Sequence, residues 1–148
     1  SIGGSAFAQC PLLETVVVPE KGDKLEAALF SGCSALKSVQ LKGVIKTIAY
    51  GVFLDCASLE TVDLKEGLES IGYSAFVGCS SLKSLHIPAT VTQITSGCFD
   101  GCTSLESITV GEGSTSYKAL DNILYTADFS QLIKCASTRS GEVCVEKG

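Results

Sequence analysis

The chain of 148 residues contains no Met and no Trp, one His, one Asn and three Pro, and only 18% of it is charged. Each scarcity removes a class of protein. Lys and Arg number 11 against 16 Asp and Glu, a net charge of −5, and no cluster of basic residues is present, which argues against a nucleic-acid partner. The same balance removes attraction to anionic lipid surfaces. Although 45% of the residues are hydrophobic, no uncharged apolar run approaches the roughly 20 residues of a membrane-crossing helix, so no membrane insertion is expected. There is no glycine-rich phosphate loop, no Asp-rich calcium loop and no N-x-S/T site, so no cofactor is implied. Neither an initiator Met nor a signal-like segment is seen, and we expect a piece of a longer protein. Against these absences stand eight Cys, for which a disulfide framework, a metal site and packed thiols are the candidate explanations.

The dominant feature is a repeat. Phe7, Phe30, Phe53, Phe76 and Phe99 fall 23 residues apart, and so do Cys10, Cys33, Cys56, Cys79 and Cys102. Leu13, Leu36, Leu59, Leu82 and Leu105 keep the same step. So do the columns headed by Val16, Val18 and Ile2, with no insertion over five units. The unit reads I-x-x-x-A-F-x-x-C-x-x-L-x-x-V-x-L. Its L-x-x-V-x-L part alternates as a short half-buried strand does, and stacking the units in register would bury one continuous inner column. The arc from Ile48 to Cys56 leaves room for about two turns of chain, and a short helical or 3₁₀ turn is expected to carry the Ala-Phe pair inward.

The segments Ile71–Pro88 (IGYSAFVGCSSLKSLHIP) and Cys102–Val110 (CTSLESITV) resemble BspA-type leucine-rich repeats. The resemblance covers about residues 1–113. It implies a leucine-rich-repeat solenoid, α/β or mainly β, with parallel strands on one face. It also implies a secreted or cell-surface microbial protein used in adhesion or recognition. Typical leucine-rich repeats carry an Asn ladder; here the lone Asn122 lies outside the repeats, and Cys takes a ladder role.

The period breaks after Val110. Two apolar runs, Ile123–Tyr125 and Leu132–Cys135, flank the polar turn 126–131 and read as a β-hairpin insertion within 114–137. Residues 138–148, with Val143 and Val145, read as the start of a further, truncated repeat. One solenoid domain is therefore expected, and apolar columns exposed at its ends would favour self-association.

Most of the cysteines lose their chemical significance in this register. Side chains in one column point the same way, which leaves Cβ atoms on neighbouring strands too far apart for a disulfide. A line of thiols also offers none of the convergence that a metal needs. A buried thiol column fits better, with Cys98 as a small filler in the column of Ala6, Leu29, Val52 and Ala75. Cys135 and Cys144 lie outside the ladder, and a bond between them stays open.

Reading across the strands exposes the outer surface. Glu14, Lys37, Glu60, Lys83 and Glu106 alternate in sign and suggest cross-strand ion pairs that keep the stack in register. Thr15, Ser38, Thr61, Ser84 and Ser107 form a hydroxyl column. Val17, Gln40, Asp63, His86 and Thr109 form an outward column whose chemistry changes at every step, with Lys42 and Lys65 two places on. Solenoids bind through such faces, so Gln40, Lys42, Asp63, Lys65, His86 and Thr109 are the candidate contacts for a protein or glycan partner, against an idle solvated face. Tyr50 and Tyr73 share a column before the Phe and read either as an exposed aromatic patch or as packing between repeats. A hydrolase built on His86, Asp63 and Ser84 or Ser107 is disfavoured, because a flat sheet supplies neither pocket nor oxyanion donors. The reading is a non-enzymatic recognition module, with a structural spacer as the alternative.

Overall fold

The structure, a computed structural model, describes residues 2–137. Each of the first four turns of the solenoid contributes two short strands. The first holds β1 (Thr15–Val18) and β2 (Lys24–Leu25), the second β3 (Ser38–Leu41) and β4 (Thr47–Ile48), and the third β5 (Thr61–Val62) and β6 (Ser70–Ile71). The fourth holds β7 (Ser84–Ile87) and β8 (Gln93–Ile94), and the fifth β9 (Ser107–Val110). They are followed by β10 (Tyr117–Leu120), β11 (Ile123–Thr126) and β12 (Leu132–Cys135). All pairings between turns are parallel and step by 23 residues, as in Val16 to Val39 to Val62 and Leu25 to Ile48 to Ile71 to Ile94. The solenoid and its parallel strand face thus follow the repeat. The second sheet, β2-β4-β6-β8, lies where only a return arc was expected.

The repeat columns are the core. Phe30, Phe53, Phe76 and Phe99 are at most 2% exposed, and Phe7 to Phe99 stack ring on ring with centroids 5.2–5.8 Å apart. Cys33, Cys56, Cys79, Cys98 and Cys102 are at most 1% exposed, so the packed-thiol explanation holds, Cys98 included. The buried thiols also bond. Each of Cys33, Cys56, Cys79 and Cys102 donates its Sγ–H to the carbonyl of the Phe in the preceding turn, at 3.0–3.3 Å. The pairing proposed for Cys135 with Cys144 lies outside the described residues, as do Val143 and Val145.

The helical or 3₁₀ turn expected on the arc does not form; no helix occurs among the described residues. Two backbone positions per turn explain this. Ser5, Ala28, Gly51, Ser74 and Gly97 have φ of 53–75°, and Gln9, Gly32, Asp55, Gly78 and Gly101 have φ of 58–76°. Left-handed residues four places apart bracket every Ala-Phe segment and interrupt a right-handed helix. The arc's N–H groups therefore go elsewhere. Ala28, Phe30 and Gly32 donate to the carbonyls of Tyr50, Val52 and Leu54 in the next turn, while Leu29, Ser31 and Cys33 close local three-residue turns.

The C-terminal hairpin forms as β11 and β12, with Thr126 N–H donating to Gln131 O at 3.0 Å. An additional strand, β10, pairs with β11 through a tight turn at Asp121 and Asn122, both left-handed, as primed hairpin turns require. The hairpin fastens onto the solenoid's last turns. Asn122 Oδ1 accepts from Ile108 N at 3.2 Å, and Ser137 Oγ donates to Cys102 O at 2.9 Å. Tyr117 falls 23 residues after Ile94 and fills the next place in that column, where its phenol oxygen accepts the Ile94 N–H at 2.7 Å.

Candidate binding face

The strand face is not one continuous sheet. Strands β1-β3-β5 form one part and β7-β9 another. Lys42 N–H donates to Val18 O and Gly111 N–H to Ile87 O, each in the register that closes the strand's end. The equivalent residue of the fourth turn is Pro88, which has no N–H to offer Leu64. In the third turn Leu64 N–H folds back to Val62 O at 3.1 Å, so β5 stops after two residues. Lys65 then compensates through its side chain, with Nζ donating to Leu41 O at 2.8 Å.

The result is an open depression of about 360 Å³ lined by Val39, Gln40, Leu41, Lys42, Asp63 and Lys65. The structure thus brings four of the six candidate residues together. Asp63 and Lys65 are 4.0 Å apart, both largely exposed, and Lys42 forms no ion pair among the described residues. Two cations facing one carboxylate leave the depression locally positive on a chain of net charge −5. Such a surface suits a partner's carboxylate or carbonyl groups.

The remaining two candidates meet on the other part of the face, where His86 Nδ1 and Thr109 Oγ1 are 2.8 Å apart. All six side chains are exposed, as the alternation of the strands requires. No hydrogen bond among the described residues joins His86 to Asp63, Ser84 or Ser107. Among those residues no three His, Cys, Asp or Glu groups converge, and no helix is long and apolar enough to cross a membrane.

Beside this face runs the alternating charge column. It pairs one way only, Lys37 with Glu14 at 3.0 Å and Lys83 with Glu60 at 3.2 Å. Each lysine thus selects the earlier of its two acidic neighbours. The break after β5 and the depression beside it were missed at the level of sequence. Pro88, which shares a column with Pro19, Lys42, Lys65 and Gly111 and has no N–H, marks the seam between β5 and β7, while nothing in the sequence marks the depression between β3 and β5.

A profile of the BspA type leucine-rich repeat region matches residues 1–123 in 6 copies. Among solved structures, the chain is similar to a leucine-rich repeat protein from Eubacterium ventriosum, with a TM-score of 0.81 and 25% identity over 95% of this chain and 37% of that one. It is also similar to a T. pallidum leucine-rich repeat protein, with a TM-score of 0.70 and 30% identity over 72% of this chain and 50% of that one. The pneumococcal vaccine antigen PcpA matches with a TM-score of 0.67 and 25% identity, over 86% of this chain and 38% of its own. The chain spans half or less of the length of these solved proteins. No curated protein matches it.

Proposed function

The chain belongs to the BspA-type leucine-rich-repeat family, and from that premise we propose that it is a non-enzymatic recognition module of an exported or cell-surface microbial protein. Its partner is a protein presented by a host or neighbouring cell, bound through the exposed strand face. The observation that carries this reading is the depression between β3 and β5. Gln40, Lys42, Asp63 and Lys65 surround it, all with exposed polar side chains. The vaccine-antigen description of PcpA supports the surface location.

A photo-crosslinking residue placed at Ser84, exposed on the same face, tests the site against a surface-protein extract of candidate host cells. We expect a discrete adduct that the K42A/K65A/H86A variant no longer forms. No adduct, or one undiminished in that variant, would favour the second reading. In that reading the stacked Phe and Cys columns make a stiff spacer holding other domains apart.

A further inference from the structure

We propose that Tyr50 and Tyr73, on the turns that follow β4 and β6, form a saccharide-binding platform in which a hexopyranose ring stacks on the open face of Tyr73. The two phenol rings lie parallel, with centroids 6.0 Å apart and an interplanar angle of 10°. They repeat on the surface the stacking that the Phe column makes inside. The Phe rings from Phe30 to Phe99 are at most 2% exposed, whereas Tyr50 and Tyr73 remain 52% and 58% exposed. Contact between turns therefore satisfies one face of each ring and leaves the other in water.

Their neighbours in the column explain why. Ala27 precedes Tyr50 and Ser96 follows Tyr73, both exposed and both too small to cover a phenol ring. The Tyr73 side is the better slot, because Ser96 adds a hydroxyl where Ala27 has only a methyl.

The strands that lead into these two turns carry polar pairs. Ser70 Oγ donates to Thr47 Oγ1 at 3.2 Å on β6 and β4, and Lys46 pairs with Glu69 at 3.6 Å. A sugar has this same division, with an apolar C–H face flanked by equatorial hydroxyls. The open ring of Tyr73 takes its C–H face, and Ser96 and the Tyr73 phenol oxygen take its hydroxyls. A purely apolar ligand would leave these two hydroxyls unmatched, and a charged peptide would leave the ring face unmatched.

Because the chain has no Trp, emission from Tyr50 and Tyr73 is read without transfer to indole, over the background of the buried Tyr117 and Tyr125. The test titrates the intact chain with cellopentaose and with maltopentaose, followed by tyrosine emission and by saturation-transfer NMR on the sugar, with a decaproline peptide as the competing class. At least one pentasaccharide is expected to bind. Y73A should weaken it on the order of tenfold, and Y50A should weaken it less. S96L, which roofs the Tyr73 ring without removing any core contact, should also abolish binding. K42A/K65A should leave it unchanged, which separates this site from the strand face. Binding of neither sugar, binding that survives both Y73A and S96L, or binding of decaproline alone would each overturn the proposal.

Discussion

The thiol of Cys79 donates to the carbonyl of Phe53 across 3.1 Å, and the same oxygen accepts the Cys56 N–H, also at 3.1 Å. The carbonyl thus joins the bend of its own turn to the next turn. Cys79→Ala removes a buried donor and a sulfur from a packed column, and should cost about 2 kcal/mol, read as a lower Tm at unchanged far-UV signal. The five inner thiols, at most 1% exposed, should resist a thiol reagent in the native chain and react on denaturation. Reaction of Cys79 in the native state at the rate of a free thiol would remove the ladder from the account.

Burial also sets a pH limit. It pushes the Cys56 thiol up from about 9 to about 12 and the Cys102 thiol to about 11, and it raises Cys33, Cys79 and Cys98 as well. A folded-state value above the unfolded one means that the native chain holds protons which the unfolded chain has lost. This stability is complete below about pH 9 and falls as pH rises toward 11–12, by up to about 1.4 kcal/mol per pH unit for each thiol. Chemical denaturation between pH 8 and 10.5 should show the decline, and Cys56→Ala should make it shallower.

Two left-handed glycines separate strain from space. Gly78 has φ of 76°, and an added Cβ would sit 2.4 Å from Asp55 Oδ1 and 3.3 Å from Asp55 Cα. Gly113 has φ of 83° with nothing within 4 Å. Both alanine variants carry the backbone penalty of about 1–3 kcal/mol, and G78A should add the cost of displacing Asp55. Urea midpoints should therefore fall in the order wild type, G113A, G78A. Equal midpoints for the two variants would show that the gap between turns is looser than described.

The first turn differs from the others in what it shows to water. Leu12 is 89% exposed in a column otherwise filled by Ala35, Ser58, Ser81 and Ser104. Val17 is 57% exposed where later turns have Gln40, Asp63, His86 and Thr109. We expect concentration-dependent self-association through this turn, measured by light scattering and reduced in L12S/V17S. A strictly monomeric chain at high concentration would contradict it.

The inward columns were legible because a 23-residue step repeats the same side-chain chemistry, and burial depends on that chemistry. The arc was not. Its shape rests on left-handed residues, which Gly51 and Gly97 announce in one column and Gly32, Gly78 and Gly101 in the other, while Ser5, Gln9, Ala28, Asp55 and Ser74 hold the same angle with no glycine to signal it. Strand β10 was missed because Tyr117 keeps the Ile94 column with a different residue type and meets the Ile94 N–H through its phenol. On the binding face, alternation revealed which side chains point outward. The grouping of four around a depression, apart from His86 and Thr109, depended on the Leu64 N–H folding back to Val62 O, which no residue type announces.

The central claim, recognition through the strand face, is tested most directly by amide hydrogen exchange of the chain alone and in complex with the protein captured at Ser84. Slowed exchange is expected over residues 38–42, 61–65 and 84–87, with the Tyr50 and Tyr73 side and the β11–β12 hairpin unchanged. Protection confined to those other surfaces, with the strand face exchanging at its free rate, would contradict it.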